Sequence, residues 1–115
     1  MKKIEAIFPH GRVNRVFEAL EKIDIGGLTY FESKGRGQLA RPEIISGRGT
    51  SVFTPEFNAN SSVVVVVKDS VADKVVNKIL EVASTGLAGE GKIFVSDVDD
   101  AVDIGSKKRG ESAIS

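Results

Sequence analysis

Residues 61–67 read Ser-Ser-Val-Val-Val-Val-Val, and this run decides the fold class. A β-branched run without polar alternation is typical of a strand that is covered on both faces. After the run, Ser70 stands as a candidate N-cap, with Asp73 three residues later in the capping-box position. The apolar residues that follow at helical spacing are Ala72, Val75, Val76, Ile79 and Ala83. The stretch therefore predicts a buried strand followed by an amphipathic helix.

The segments on either side of this stretch complete a regular order of elements. Upstream, Lys3–Phe8 predicts a strand that Pro9 ends, residues 13–20 carry a helical apolar stripe, and Leu28–Ser33 predicts a second strand. Downstream, Thr85-Gly86 ends the second helix and Lys92–Ser96 predicts a fourth strand, with one more short strand around residues 101–104. The order β-α-β-β-α-β predicts an α+β, ferredoxin-like fold.

Composition excludes several classes of protein. The chain has 115 residues, which is one domain, and its 16 basic and 16 acidic side chains cancel. A nucleic-acid-binding protein usually has a basic excess. The chain has no cysteine, which excludes disulfides, cysteine-bound metal and thiol catalysis. The longest aliphatic run is far shorter than a membrane span, and the N-terminus does not resemble a signal peptide, so we expect a cytoplasmic protein.

The valine run also predicts self-association. A ferredoxin-like sheet packs its helices on one face and leaves the other face bare. Since residues 63–67 predict a strand covered on both faces, the second face needs a partner. The simplest partner is another copy of the same sheet, so we expect a homo-oligomer.

The segment between the second and third strands, about residues 34–60, is too long for a simple hairpin. It shows no convincing helical or strand period. We interpret it as a loop that binds a ligand or a partner, the alternative being a plain surface insertion. Its charged residues include Arg36, Arg41, Glu43, Arg48 and Glu56.

Two glycine-rich turns are candidate phosphate sites. Gly35-Arg36-Gly37 allows close approach of a ligand and supplies a cation. Residues 86–92 read Gly-Leu-Ala-Gly-Glu-Gly-Lys, which matches part of a P-loop, but Ile93 stands where Ser or Thr would hold magnesium. This turn also leads from a helix into a strand, so no helix N-terminus faces a phosphate. This turn has two interpretations: a nest of backbone N–H groups that binds an anion with Lys92 as the cation, or a plain tight turn.

Motifs along nearly the whole chain carry a resemblance to one family. They are Met1-Lys2-Lys3-Ile4-Glu5-Ala6-Ile7, the helix from Val13 to Leu20, Lys34-Gly35, Asp73-Lys74-Val75-Val76, Thr85-Gly86, Gly89-Glu90-Gly91-Lys92-Ile93-Phe94-Val95 and Arg109-Gly110-Glu111. On these motifs the sequence resembles the PII signal-transduction proteins. The resemblance implies a homotrimer with an adenine nucleotide in each of three clefts between subunits. It also implies a long T-loop that regulates a partner, such as a transporter or an enzyme of nitrogen or carbon metabolism.

The resemblance divides the chain and assigns its site. It implies one domain over residues 1–115, with the T-loop at about 35–60, a B-loop at 85–92 and a tail at 97–115. Nucleotide binding would fall to Thr29, Gly35, Arg36, Gly37, Gln38, Val66, Gly89, Glu90, Gly91 and Lys92. Partner binding would fall to Arg41, Glu43, Arg48, Ser51 and Phe53. No catalytic residue, metal or required cofactor is implied, and ATP, ADP or AMP would act as an effector. Nucleic acid is not an expected partner, and membrane contact would occur only through a transporter.

Several positions depart from the family pattern. Ser51 replaces the tyrosine that other members uridylylate, and Leu39 replaces the glutamine that helps hold magnesium and 2-oxoglutarate, with Gln38 adjacent. The lysine at the base of the T-loop falls near Asn60. We therefore expect no magnesium-dependent binding of 2-oxoglutarate.

The phosphate clamp departs as well. Two arginines that hold nucleotide phosphates in the family fall on Asp103 and Gly105. One hypothesis is that tail cations replace them, namely Lys107, Lys108 and Arg109; the other is that these form a solvated tail. Loss of the arginines favours a less charged ligand, such as AMP, a cyclic nucleotide or bicarbonate, whereas the intact B-loop favours ATP or ADP.

Two other classes of function share this order of elements. An acylphosphatase needs an arginine and an asparagine at a phosphate loop after the first strand, and Arg12 and Asn14 occur there without a convincing cradle. An RNA-binding module needs aromatic residues on its central strands, and residues 63–67 have none. His10, the single histidine, is interpreted as a turn or surface residue, and no set of serine, histidine and carboxylate is expected at a cleft.

Overall fold

The computed structural model describes residues 1–36, 59–86 and 89–115, together with the backbone alone at 44–45, 52–53 and 58. The strands are β1 (Lys2–Pro9), β2 (Thr29–Gly35), β3 (Ile44–Ile45), β4 (Val52–Phe53), β5 (Asn58–Val67) and β6 (Lys92–Asp97). The helices are α1 (Val13–Glu21) and α2 (Asp69–Ala83), with 3₁₀ turns at His10–Arg12 and Gly110–Ala113. None of the helices in these ranges is long and apolar enough to span a membrane.

The main sheet has four antiparallel strands in the order β2-β5-β1-β6. Strands β1 and β5 therefore lie side by side in the middle of the sheet, and β2 and β6 form its two edges. The predicted α+β, ferredoxin-like fold is confirmed. Because β2 and β6 are the two outer strands, residues on them lie at opposite edges of the sheet in one subunit.

The core lies between one face of this sheet and the two helices. Along β1, side chains alternate, and Ile4, Ala6 and Phe8 are buried on the helix face. The stripes predicted for the helices are buried against them, with Val16, Ala19 and Leu20 from α1 and Ala72, Val75, Ile79 and Ala83 from α2. Each large aliphatic side chain removed from water in this layer contributes about 1.5–3 kcal/mol, which fixes the sheet to the helices.

The opposite face of the sheet has an apolar centre that no described element covers. Val64 and Val66 are half-buried there, and Phe31 and Phe94 are 45% and 53% exposed. The register places Val64 opposite both Thr29 and Glu5. Of the valine run, only Val63, Val65 and Val67 are buried within one chain, so the predicted burial of both faces is not met by a single subunit.

The start of α2 differs from the prediction. The helix begins at Asp69 with Lys68 as its N-cap, and no side chain caps it, so the Ser70 and Asp73 capping box was wrong. The extended backbone of Lys68 (φ −62°, ψ 150°) leads β5 directly into the helix. Asp69 then lies in the first turn, where a negative charge is favourable, and the terminal ammonium group of Met1 lies 2.9 Å from its carboxylate.

The segment 34–60 also holds more strand than its pattern predicted. The ladder between β2 and β5 continues to the pair Gly35 and Asn58, and β3 pairs with β4 as a second, two-stranded sheet. The prediction of no regular structure was therefore wrong at these positions. Backbone pairing with a neighbouring strand extends the ladder whatever the side-chain pattern, which explains why periodicity missed it.

The predicted strand at residues 101–104 is not formed. The tail contains one isolated antiparallel bridge, between Val102 and Arg109. The Gly110 N–H donates to the Ala101 carbonyl at 2.9 Å, and the Asp103 N–H donates to the Lys108 carbonyl at 2.9 Å. The tail thus folds back on itself instead of adding a strand to the sheet.

Candidate functional site

The B-loop, residues 85–92, joins the end of α2 to the start of β6. Gly86, Gly89 and Gly91 have φ values of 87°, 83° and 125°, which L side chains rarely adopt. Gly91 is also packed against the main chain, since a Cβ atom there would lie 1.9 Å from the carbonyl oxygen of Ile7. Residues 87 and 88 lie outside the described ranges. The glycines are therefore required by the backbone of the loop and by its close approach to β1.

Replacing Gly91 with alanine is expected to destabilise the protein strongly. The substitution adds a clash with the Ile7 carbonyl to a left-handed φ, and each effect alone costs about 1–3 kcal/mol. Chemical denaturation should show a loss of more than about 2 kcal/mol in the free energy of unfolding. Gly105→Ala is the control, because its Cβ would meet only Asp103 Oδ2 at 3.7 Å. Equal stability of the two variants would contradict the described packing.

Glu90 closes the B-loop from inside. Its carboxylate accepts the Thr85 N–H at 2.9 and 3.0 Å, the Thr85 hydroxyl, and the Ser84 hydroxyl at 3.4 Å. The hydrogen bonds from the Thr85 hydroxyl and N–H, helped by the charge of Arg12, lower the pKa of Glu90 below its ordinary value. This contact therefore stabilises the loop fully above the ordinary carboxyl pKa, and the stabilisation is lost as pH falls through the lowered pKa. The Glu90 side chain points toward the protein, which leaves its backbone for a ligand.

Arg12 is the residue at this site that the sequence analysis did not assign to it. Its Nη1 donates to the Ala83 carbonyl at 2.5 Å and lies 3.2 Å from Glu90 Oε1. The two side chains are only 23% and 10% exposed. The pairing joins residues 78 positions apart, so no local sequence motif predicts it. It follows from the topology, which brings the end of β1 beside the end of α2.

A cleft of about 360 Å³ lies between the C-terminal half of α2 and the B-loop. Its wall is mainly apolar, and Phe8, Val76, Leu80 and Ile93 contribute to it. Gly89, Glu90, Gly91 and Lys92 also line it. Lys92 is exposed and begins β6 opposite Ile7. The arrangement presents one cation and glycine backbone beside apolar surface, a combination suited to a ligand with an anionic group and an aromatic base.

The other predicted nucleotide-binding residues lie elsewhere. Thr29 begins the edge strand β2 and is exposed, Gly35 ends β2, and Arg36 follows it. Val66 is half-buried on the adjacent strand β5. Between the β2 edge and the β6 edge lie three strand spacings, or roughly 14 Å. One subunit therefore does not bring Thr29 and Lys92 together.

The predicted T-loop contacts lie mostly outside the described residues. This is true of Gly37 and Gln38 and of the partner-binding residues Arg41, Glu43, Arg48 and Ser51. Leu39 also lies there, and Phe53 is described by its backbone alone, in β4.

Charged side chains of the tail form ion pairs and hydrogen bonds with other tail residues. The Arg109 guanidinium lies 2.7 Å from the Asp100 carboxylate, and Asp103 accepts the Ser106 N–H at 2.8 Å and its hydroxyl at 2.7 Å. The bond from the Ser106 N–H, followed by that from its hydroxyl, lowers the pKa of Asp103. Asp103 is therefore a charged turn-forming residue, and Arg109 has a partner within the tail.

Ser61, His10 and Glu32 form a line of polar side chains beside the core. His10 Nδ1 lies 2.8 Å from Ser61 Oγ, and His10 Nε2 lies 3.9 Å from Glu32 Oε1. The residue types are those of a hydrolase triad, but Ser61 is 0% exposed and cannot reach a substrate. His10 gives the buried Ser61 hydroxyl a hydrogen-bond partner where β1 and β5 pair. Across the described ranges, no group of three His, Cys, Asp or Glu side chains is arranged to hold a metal ion.

The fold and the loop define a ferredoxin-like α+β protein in which a glycine-rich turn links the second helix to the last strand. The sequence model of the family "Nitrogen regulatory protein P-II" matches residues 1–108. The nitrogen regulatory protein P-II of Azospirillum brasilense is 36% identical over 115 residues, covering 99% of this chain and 100% of the relative. That of Microchaete diplosiphon is 38% identical with the same coverage. An Arabidopsis thaliana nitrogen regulatory protein P-II homolog is 38% identical over 96% of this chain and 56% of its own length.

The chain belongs to the nitrogen regulatory protein P-II family. The resemblance stated from its motifs is confirmed. Members of this family are signalling regulators, not enzymes, and this chain is a signalling protein of that class. The acylphosphatase alternative is not supported, and Arg12, which it required, is engaged with Glu90 and Ala83.

Proposed function

We propose that this chain senses an adenine nucleotide or a related small metabolite in clefts between the subunits of a cytoplasmic homotrimer. In this proposal, the T-loop at about 35–60 carries the signal to a partner protein, a transporter or an enzyme of nitrogen or carbon metabolism. The names of the relatives, which describe nitrogen regulation, support the metabolic context.

The observation that carries the proposal is the division of the predicted ligand residues between two sheet edges. Thr29 and Gly35 lie on the β2 edge, and the B-loop with Lys92 lies at the β6 edge. A second copy that places its β2 edge beside the first copy's β6 edge completes the site. A head-to-tail contact of this kind closes into a ring, and three copies would give three equal clefts.

The open sheet face supports the trimer independently. Val64, Val66, Phe31 and Phe94 form an apolar surface with no cover in one chain. Large exposed apolar patches on a small domain mark interaction sites. Three such faces turned toward one axis would bury them together, which supplies the cover that the valine run predicts.

The charge of the ligand distinguishes two classes of candidate ligand. Lys92 and the N–H groups of a glycine loop suit the phosphates of ATP or ADP. Asp103 and Gly105 instead offer no cation at positions where the family has two, and Asp103 carries a negative charge. This specific observation favours a second candidate, a less charged ligand such as AMP, a cyclic nucleotide or bicarbonate.

A thermal-shift screen tests the proposal. The protein is heated with ATP, ADP, AMP, cyclic AMP, 2-oxoglutarate or bicarbonate, with adenosine as an uncharged control. A ligand that binds only the folded state at about 100 times its Kd adds roughly 2.7 kcal/mol, which raises Tm by several degrees. A shift with a nucleotide supports the proposal, and a flat response to all six compounds overturns the proposed ligand class.

Restoring a cation in the tail is expected to create a preference for ATP. Gly105→Arg is combined with Asp103→Asn, because asparagine keeps an acceptor for Ser106 without the charge. Gly105 has space for a side chain and an ordinary φ. One charge-assisted contact should raise the affinity ratio of ATP to AMP by about tenfold or more, measured by calorimetry. The control is Gly105→Gln with Asp103→Asn, and an equal gain in that control would show that charge is not the cause.

A further inference from the structure

Arg12 joins three separate segments of the fold at one guanidinium. It ends the 3₁₀ turn that follows β1, donates to the last carbonyl of α2 at Ala83, and pairs with Glu90 of the B-loop. We propose that Arg12 and Glu90 form a clasp that positions the B-loop for an anionic ligand, with Arg12 as a positioning residue. This inference rests on the proposed function, since it concerns the same site.

The first argument is electrostatic. A glutamate inside a loop that receives an anion would repel that anion if its charge were left uncompensated. Here the carboxylate is 10% exposed, lies 3.2 Å from the Arg12 guanidinium, and accepts the hydrogen bonds of Thr85. Arg12 therefore neutralises the one negative charge of the described loop, and Lys92 remains as the loop's outward charge.

The second argument is mechanical. The bonds from Thr85 to Glu90 close the loop into a ring, and Gly91 fixes the ring's end against the Ile7 carbonyl. Arg12 then ties that ring to α2 through Ala83. A loop held in this way loses little conformational entropy when a ligand binds, whereas a freed loop must be ordered first.

Calorimetry with ADP on the full chain tests the clasp through three variants. Arg12→Met should weaken ADP binding by about tenfold or more, because it frees the loop and exposes the charge of Glu90. Glu90→Gln keeps an acceptor for Thr85 without the charge and should weaken binding by only about threefold. The double variant Arg12→Met/Glu90→Gln should bind ADP more tightly than Arg12→Met alone, because no uncompensated carboxylate remains. Arg15→Met, an exposed arginine on α1, is the matched control and should leave ADP binding unchanged.

The rescue separates the clasp from a general structural role. If Arg12 merely supported the fold, the double variant would bind ADP no better than Arg12→Met, and that result would overturn the inference. Unchanged ADP binding in Arg12→Met would overturn it as well. If the wild type binds no ADP, the proposed adenine-nucleotide ligand fails, and hydrogen exchange at the Thr85 amide decides the clasp alone. Faster exchange in Arg12→Met than in Arg15→Met supports the clasp, and equal exchange overturns it.

Discussion

Replacing Phe31 with aspartate is expected to dissociate the proposed trimer into monomers. Phe31 lies on the open face of the sheet and is 45% exposed in the single chain, so the substitution leaves the subunit core intact. In the proposed trimer the same position is buried by neighbouring copies. An aspartate there places an unpaired charge at each interface, at a cost of several kcal/mol per charge.

Light scattering at micromolar concentration measures this effect directly. The wild type should have three times the 12.3 kDa mass of one chain, and the variant should have the mass of one chain. Asn77→Asp is the control for the added charge, because Asn77 is exposed on α2, on the other side of the sheet, and does not line the cleft. A monomeric wild type, or a variant that stays trimeric, would contradict the proposed assembly.

Replacing Lys92 with alanine is expected to abolish most nucleotide binding. Lys92 is the outward-facing cation at the end of the B-loop, and it begins β6 on the rim of the cleft. A lost charge-assisted contact to a phosphate costs about 1.5–3 kcal/mol, which corresponds to a loss of roughly tenfold to more than a hundredfold in affinity. Calorimetric titration of the variant with ADP checks this.

Lys108→Ala provides the comparison for Lys92. Lys108 is an exposed tail lysine, and the alternative hypothesis assigns the phosphate clamp to the tail. We expect a large loss of ADP affinity with Lys92→Ala and little change with Lys108→Ala. A large loss with Lys108→Ala and little change with Lys92→Ala would instead assign the phosphate clamp to the tail cations.

The fold was predictable because its signals are local and repeated. The apolar stripe of α2 specifies which face of the helix is buried, and the apolar run at Lys3–Phe8 specifies a strand; both are confirmed in the structure. The predictions were wrong where backbone geometry, and not the side-chain pattern, determines the local structure. Lys68 turns the chain into α2 without a capping side chain, and the ladder of β2 and β5 extends into a segment with no side-chain period.

The site was predictable only in part, for a related reason. The glycines of the B-loop are visible in the sequence, and the positive φ values of Gly89 and Gly91 explain why glycine is needed there. The partner of Glu90 was not predictable, because Arg12 reaches it through the fold and not through the chain. Nor does the sequence alone show that Thr29 and Lys92 lie at opposite edges of one sheet, since that follows from the strand order.

Calorimetric titration of the wild type with AMP, ADP and ATP measures whether each added phosphate strengthens binding. In the proposed site, Lys92 is the one strong cation, and Asp103 and Gly105 stand where the family resemblance places two arginines, so each added phosphate gains little. This arrangement predicts one nucleotide per chain and affinities for the three nucleotides that agree within about tenfold, or that fall from AMP to ATP. An affinity for ATP more than about a hundredfold above that for AMP, or no binding of any of the three, would contradict it.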